Sequence, residues 1–131
     1  METILAKIIM PSNVIAEVNA TLVTLPGKDG VFGVMPGHTR LIANLKPGVV
    51  KVMVEQNEKQ YFIFAGVAEI TGTEINIITE FAINLSETTK TVVMDNINDL
   101  ETELKGEEPE SVEASVINAK ISQYKSLLEF I

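Results

Sequence analysis

Residues 25–50 read LPGKDGVFGVMPGHTRLIANLKPGVV and hold five of the eight glycines and three of the five prolines of this 131-residue chain. The same stretch holds the only histidine, His38, and the only arginine, Arg40. Glycine reaches backbone conformations that other residues avoid, and proline beside glycine is typical of tight turns. Between the turns lie two short apolar pieces, at residues 31–35 and 41–45. The stretch therefore predicts short β-strands joined by sharp corners.

Further strands are predicted on both sides of this stretch. Residues 14–25 alternate, with Val14, Ala16 and Val18 on one face and Glu17 and Asn19 on the other, which is the pattern of a half-buried strand. The remaining predicted strands cover residues 4–10, 48–55, 61–65, 66–70 and 75–79, with a hairpin turn at 56–58. Short strands at this spacing predict a sandwich or a barrel rather than an α/β fold.

The pattern changes near residue 85, where the net charge shifts from −2 over residues 1–84 to −6 over residues 85–131. A first helix is predicted by apolar residues at helical spacing, namely Val93, Ile97, Leu100 and Leu104. We expect Asp95 or Ser86 to cap its start and Gly106 to end it. The sequence thus predicts two domains, 1–84 and 85–131.

A second helix is predicted from about residue 109 to 130, with Pro109 at its first position. Its expected apolar stripe consists of Val112, Val116, Ala119, Tyr124, Leu127, Leu128 and Ile131. The short connection predicts an antiparallel hairpin of two helices. Such a hairpin buries its two stripes poorly by itself, which is a first indication of an interaction protein.

Composition excludes several classes of function. The net charge is −8 and the chain has no basic block, so we expect no binding to nucleic acid. There are no cysteines, which removes disulfides and thiolate metal sites. No segment resembles a signal peptide or reaches the length of a membrane span, so we expect contact with a membrane only through partners.

The motifs in residues 25–50 do not predict catalysis. Gly27, Gly30 and Gly33 have the spacing G-x-x-G-x-x-G, which differs from the known phosphate-binding loops, so we expect no nucleotide cofactor there. His38 lacks a second histidine or a cysteine, so we expect neither a metal site nor a catalytic triad. For His38 and Arg40, two interpretations stay open: an interface or solvated turn residues.

No other group of residues supplies an active site. We interpret the acidic run at residues 101–113 as a solvated helix face and turn, and Phe62 and Phe64 as core residues. The residues alone thus indicate a non-enzymatic β module with a helical appendage. The alternative is a small β-sandwich adaptor or ligand-binding module whose helices self-associate. An enzyme with paired carboxylates is a more distant alternative.

Several motifs in residues 1–84 resemble the epsilon subunit family of F-type ATP synthases, which corresponds to the mitochondrial delta subunit. The family pattern of P-G, G-x-x-G, P-G-H, a short apolar strand and K-P-G matches the motifs at residues 26–27, 30–33, 36–38, 41–45 and 46–48. Residues 65–70, AGVAEI, are similar to the family's G-G-hydrophobic-x-E-V segment, with Ala65 in place of the first glycine. Residues 79–82, TEFA, are similar to the A-D-x-A that ends its β domain.

The resemblance implies a flattened β-sandwich of about ten strands followed by the two-helix hairpin. It also implies a non-catalytic subunit of the central stalk, the rotor that couples proton flow to ATP synthesis. The implied partners are the gamma subunit, the polar loops of the c-ring and, through the helices, subunits of the catalytic head. The implied location is the cytoplasmic face of the cell inner membrane, where the subunit is peripheral.

The resemblance also implies which residues face the c-ring: Asp29, Gly30, Val31, Phe32, Gly33, His38 and Arg40. Some relatives carry an acidic residue where this chain has Val31. Relatives that bind ATP do so through a motif of Ile or Leu, Asp, two variable residues, Arg and Ala. Two alignments of this motif are possible: residues 85–90 lack both the Asp and the Arg, and residues 94–99 keep the Asp but have Asn98 in the position of the arginine. We therefore expect no ATP binding and, with only Lys120 and Lys125 on the second helix, weak or no electrostatic inhibition of ATP hydrolysis.

Overall fold

A computed structural model describes residues 2–131, which form two compact units, one ending at Ser86 and the other spanning Glu87–Ile131. The strands of the first unit are β1 Ile4–Ile9, β2 Val14–Ala20, β3 Leu22–Gly27, β4 Gly30–Val34, β5 Leu41–Val54, β6 Asn57–Ile70, β7 Glu74–Ile78 and β8 Ala82–Asn84. A 3₁₀ turn at Leu85–Glu87 precedes the helices α1 Lys90–Lys105 and α2 Val112–Leu128. The predicted fold class, a β-sandwich followed by two helices, is confirmed.

The strands form one hydrogen-bonded path in the order β2-β1-β7-β6-β5-β3-β4, with β8 paired to β6. All pairs are antiparallel except β1 with β7. β2 and β5 contact each other without being hydrogen-bonded neighbours, so the path folds over itself into a sandwich. The interior is mainly aliphatic and includes Ile4, Ile8, Val23, Leu25, Val50, Ile63, Ile75 and Ile77.

The structure has eight described strands rather than the roughly ten that the resemblance implies, and two pairs of predicted short strands are each continuous. β5 joins the predicted strands 41–45 and 48–55, and β6 joins 61–65 and 66–70. The pairing of Leu45 with Gly66 resumes with Pro47 opposite Phe64, so the ladder skips one position without losing its register. Proline and glycine therefore bend these strands instead of reversing the chain.

A buried hydroxyl group stabilises the bend in β6. Ala65 has φ of 93°, which is unusual for a residue with a side chain, and Gly66 has φ of 153°. Thr79 is only 3% exposed, and its Oγ1 donates a hydrogen bond of 2.6 Å to the Ala65 carbonyl. A Cβ atom at position 66 would collide with the Ile78 carbonyl, so β6 and β7 approach closely only because this residue is glycine.

The predicted strand 14–25 is interrupted at Thr21. The Thr21 backbone N–H donates to the Met53 carbonyl at 2.8 Å, and its hydroxyl donates to the same oxygen at 3.1 Å. The more buried positions are even-numbered from Ala16 to Ala20 and odd-numbered from Val23 to Leu25, so the alternation changes phase at Thr21. The hairpin turn between β5 and β6 also differs from the prediction, since it is the pair Glu55 and Gln56.

The apolar stripe of α1 is confirmed, with Val93 and Ile97 buried and Leu100 and Leu104 half-buried. The predicted capping residues are wrong, because Thr89 caps the helix and its side chain accepts a hydrogen bond from the Val92 N–H at 3.2 Å. Gly106 ends the helix as predicted.

The second helix begins at Val112, three residues later than predicted, because the Ser111 hydroxyl accepts the Ala114 N–H at 3.1 Å and caps it. The predicted stripe is wrong at four of its seven positions, since Val112 is 76% exposed, Val116 49% and Ile131 39%, and Ala119 is exposed as well. The fully buried positions are Ala114, Ile117, Ile121 and Leu127. The helix carries apolar residues on two faces, and helical periodicity alone does not show which of them is buried. The two helices contact each other.

Candidate functional site

The seven residues predicted to face the c-ring lie on two adjoining segments of the first unit. Asp29 lies in the tight turn between β3 and β4, and Gly30–Val34 is strand β4 itself, which contains four of the seven. His38 and Arg40 lie in the connection from β4 to β5. We call these seven residues, Asp29, Gly30, Val31, Phe32, Gly33, His38 and Arg40, the docking edge.

The docking edge includes the last strand of the hydrogen-bonded path. β4 pairs with β3 alone among the described strands, so its outer backbone groups face away from the sheet. The strand contains no charged residue, and Val31 is 69% exposed. An uncharged edge strand with an exposed apolar side chain is a typical place for another chain to bind.

The turn before β4 is tightly packed. A Cβ atom at Gly27 would lie 2.6 Å from the Gly30 carbonyl oxygen and 2.8 Å from the Phe32 ring. Only glycine allows the Phe32 ring to lie this close to the backbone of β3. Phe32 is half-buried and packs against the core, and the backbone N–H of Lys28 donates to the Asn44 carbonyl at 2.9 Å. The turn is thus attached both to the core and to β5.

The connection that carries His38 is held by backbone hydrogen bonds on both sides. The Gly37 N–H donates to the Gly72 carbonyl at 3.0 Å, and the His38 N–H donates to the Met35 carbonyl at 3.1 Å. Nδ1 of the His38 ring lies 2.7 Å from the Thr39 carbonyl oxygen. His38 therefore occupies a fixed position beside the turn between β6 and β7.

Two open depressions connect the parts of the docking edge. One, of about 350 Å³, is lined by the turn residues Asp29, Gly30 and Phe32 and by the start of β5. The other, of about 410 Å³, lies between Arg40 and the end of β6. Leu41 and Ile42 line both depressions, so they join the turn to Arg40, whereas His38 lines neither.

Ile42 is a surface residue within the segment 41–45, which the sequence predicts as a short apolar strand. It is 72% exposed, more than any other large apolar side chain among residues 2–86. In β5 it shares the exposed phase with Asn44 and Lys46, while Ala43 and Leu45 are in the more buried phase. That alternation is present in the sequence and would have identified Ile42 as exposed.

The chemistry of the described residues is limited. Residues 2–131 contain no group of three or more His, Cys, Asp or Glu side chains that could hold a metal ion. None of the helices in this part of the chain is long and apolar enough to cross a membrane. The docking edge offers one imidazole, one guanidinium and one carboxylate, together with apolar and glycine backbone surface.

Residues 94–99, which align with the ATP-binding motif of some relatives, lie on α1. Asp95 and Asn98 are exposed on α1. On α2, Lys125 lies 3.7 Å from the Glu101 carboxylate of α1. This ion pair is exposed and contributes little stability, but it pairs one of the two lysines of α2 with a carboxylate.

Comparison with known proteins identifies the family. The family model described as "ATP synthase, Delta/Epsilon chain, beta-sandwich domain" matches residues 3–85, which include the whole docking edge. The ATP synthase epsilon chain of Rickettsia bellii is 42% identical over 103 residues, covering 76% of this chain and 95% of that one. The epsilon chain of Rickettsia typhi is 48% identical over 88 residues, covering 65% and 80%.

Solved structures show the same fold. A chain of the Euglena gracilis mitochondrial ATP synthase, solved with OSCP, F1 and c-ring, matches with a TM-score of 0.67 at 19% identity, covering 97% of this chain and 80% of that one. A chain from the central stalk and c-ring of the Tetrahymena thermophila enzyme matches with a TM-score of 0.54 at 8% identity, covering 96% of each. With the sandwich matched from end to end and relatives above 40% identity, this chain belongs to the ATP synthase delta/epsilon family.

Proposed function

We propose that this chain is a rotor subunit in the central stalk of a proton-translocating F-type ATP synthase. It docks the gamma subunit to the c-ring and so couples proton flow to ATP synthesis, without performing chemistry itself. The observation that carries the proposal is the family match over residues 3–85. The Euglena and Tetrahymena neighbours were solved together with c-rings, which agrees with this assignment.

The docking edge is the surface that we assign to the polar loops of the c-ring. Its support is the exposed Val31, the uncharged edge strand and the two depressions joined by Ile42. In a chain of net charge −8, Arg40 is the only arginine, and arginine is enriched at interfaces. The c-ring contact then combines apolar surface with a single guanidinium and the nearby Asp29.

The gamma subunit is assigned to a different surface, a row of apolar side chains across four strands. Val14 pairs with Ile9, Ile9 with Ile78, and Ile78 with Val67, so the four share one sheet face. Val14 and Ile78 are each 52% exposed. Exposed apolar surface of this kind marks protein interfaces. We further propose that these two partners hold the chain peripherally at the cytoplasmic face of the cell inner membrane.

We assign no nucleotide-binding site to the helices and expect them to inhibit ATP hydrolysis only weakly. No arginine is present on either helix, so bidentate recognition of phosphate is absent. The basic groups of α2 are Lys120 and Lys125, and Lys125 already lies beside Glu101. Contact of the helices with catalytic-head subunits therefore rests on apolar surface rather than on charge. The sandwich domain, residues 1–84, carries the docking function, and residues 85–131 form the separate helical domain.

The proposal is tested by reversing one charge at the docking edge. Arg40→Glu should weaken binding of the chain, assembled with gamma, to the purified c-ring by about tenfold. In membrane vesicles, ATP-driven proton pumping should fall while ATP hydrolysis persists, because the catalytic head is untouched. The measurements are ring binding by surface plasmon resonance and pumping by the quenching of a pH-sensitive dye.

The matched control is Lys59→Glu, another exposed cation-to-anion change, which lies near the opposite end of β5 and β6. It should leave ring binding and pumping unchanged. Equal effects of the two variants would contradict the assignment of the docking edge. Failure of the unaltered chain to form a complex with gamma, together with formation of a homodimer, would favour a self-associating adaptor instead.

A further inference from the structure

The hydrogen bond of the His38 ring fixes which of its nitrogens carries a proton. Nδ1 lies 2.7 Å from the carbonyl oxygen of Thr39, which is a hydrogen-bond distance. A carbonyl oxygen only accepts, so Nδ1 must donate, and the proton must be on Nδ1. In the neutral ring, Nε2 then holds a lone pair and acts as an acceptor.

Nε2 has no hydrogen-bond partner among residues 2–131. The residue as a whole is half-buried, and its backbone is held by the bonds from Gly37 to Gly72 and from His38 to Met35. The acceptor is therefore held in a fixed position before any partner arrives. Fixing a group in this way lowers the entropy that binding would otherwise cost.

We infer that Nε2 of His38 is a specificity-determining acceptor of the docking edge, and that the c-ring loop in contact with it supplies an N–H or O–H donor. This inference rests on the proposed function, because it names the chemistry of the partner at the same site. Arg40, two residues later, offers only donors. The edge thus presents an acceptor and a donor in sequence, and a loop that offers only acceptors binds poorly.

The protonation pattern is tested by NMR of the full chain labelled with ¹⁵N in the imidazole ring. Long-range ¹H–¹⁵N correlation spectra at pH 8.5 distinguish a protonated nitrogen from one with a lone pair. We expect Nδ1 to be the protonated nitrogen. A ring protonated on Nε2 at this pH would overturn the inference.

The role in binding is tested with two amide substitutions that differ in reach. The side-chain oxygen of His38→Gln extends about as far as Nε2, whereas that of His38→Asn ends near Nδ1. Assembled with gamma, the Gln variant should bind the purified c-ring within about twofold of the unaltered chain. The Asn variant should bind about fivefold more weakly, which corresponds to one lost hydrogen bond.

The outcomes separate the two proposals. If the unaltered chain does not bind the ring, the proposed function and this inference both fail. If it binds and the Asn variant binds equally well, or the Gln variant is weakened as much as the Asn variant, only the inference fails. Thermal unfolding of both variants should match that of the unaltered chain, since the His38 side chain makes only an exposed local bond.

Discussion

The two units of this chain are stabilised in different ways. In the sandwich, shape depends on close backbone approach: at Gly66 a side chain would collide with the carbonyl of a neighbouring strand. In the helical unit, the nearest atom to a Cβ at Gly106 is the Glu103 carbonyl at 3.6 Å, an ordinary contact. Its side-chain polar contacts include hydroxyl caps, an exposed hydroxyl-to-carbonyl bond and an exposed ion pair. The sandwich should therefore tolerate few substitutions at its bends, and the helical unit many.

The relatives show a similar difference. The family model matches the sandwich from residue 3 to residue 85. The match to the Rickettsia bellii epsilon chain covers 95% of that chain but only 76% of this one. About a quarter of this chain therefore lies outside the match. The family model thus covers the sandwich and not the helices, and a relative of this chain exists with less chain than is present here.

The largest expected effect on stability is that of replacing a glycine in the sandwich, compared with replacing a glycine in the helical unit. Gly66→Ala should lower the free energy of unfolding by about 3 kcal/mol or more, because the added Cβ collides with the Ile78 carbonyl at a φ that alanine avoids. Gly106→Ala is the matched control and should change it by less than about 0.5 kcal/mol. Urea denaturation followed by circular dichroism measures both. Similar stabilities for the two variants would show that the approach of β6 and β7 is not rigid.

A smaller effect is expected for the hydroxyl that stabilises the bend. Thr79→Val should lower the free energy of unfolding by about 2 kcal/mol, because the Ala65 carbonyl loses its buried 2.6 Å hydrogen bond. Ala65→Gly should add about 1 kcal/mol of stability by relieving the strain at φ of 93°. If the hydrogen bond stabilises the strained backbone of Ala65, Thr79→Val should lower the free energy of unfolding less in the Ala65→Gly background than in the unaltered chain.

The control for this pair lies in α1. The Thr102 hydroxyl donates to the Asn98 carbonyl at 3.0 Å, but on an exposed helix surface. Thr102→Val should therefore change stability by less than about 0.5 kcal/mol. If Thr102→Val and Thr79→Val lowered the free energy of unfolding equally, burial of the Thr79 hydrogen bond would not explain the loss of stability.

Local sequence signals predict most of the fold. Alternation identifies the strand positions, and the spacing of Val93 and Ile97 identifies α1 and its buried face. The signals fail where a tertiary contact decides between local alternatives. Lys46, Pro47 and Gly48 suit a turn, but pairing of β5 with β6 on both sides of Lys46 keeps the chain extended there. The stripe of α2 fails for a related reason, since both of its faces are apolar and packing selects the one with Ile117 and Ile121.

The candidate site is predicted less completely than the fold. Its seven residues come from a resemblance, and their contact with a c-ring stays a prediction. The structure adds that Ile42 connects the turn with Arg40, which requires knowledge of how β4, β3 and β5 are arranged. The hydrogen bond between His38 and Thr39 is likewise invisible in sequence, because it depends on the rotamer of one ring in a particular loop.

The smallest expected effect concerns removal of the helical unit. A chain ending at Ser86 should still bind gamma and the c-ring, and it should change ATP hydrolysis by the assembled enzyme by less than about twofold. The reason is electrostatic: exposed lysines contribute little, and Lys125 already lies beside Glu101. Circular dichroism of the shortened chain checks that the sandwich remains folded.

A several-fold rise in hydrolysis on truncation would contradict this expectation, and a second variant would then identify the cause. Lys120→Gln in the full chain removes the one α2 lysine that forms no ion pair among the described residues. If truncation raises hydrolysis and Lys120→Gln does so too, inhibition is electrostatic. If only truncation raises it, the charge of Lys120 is not the cause, and the exposed apolar residues Val112 and Val116 are the next positions to substitute, because their replacement by serine leaves every charge of the helical unit in place.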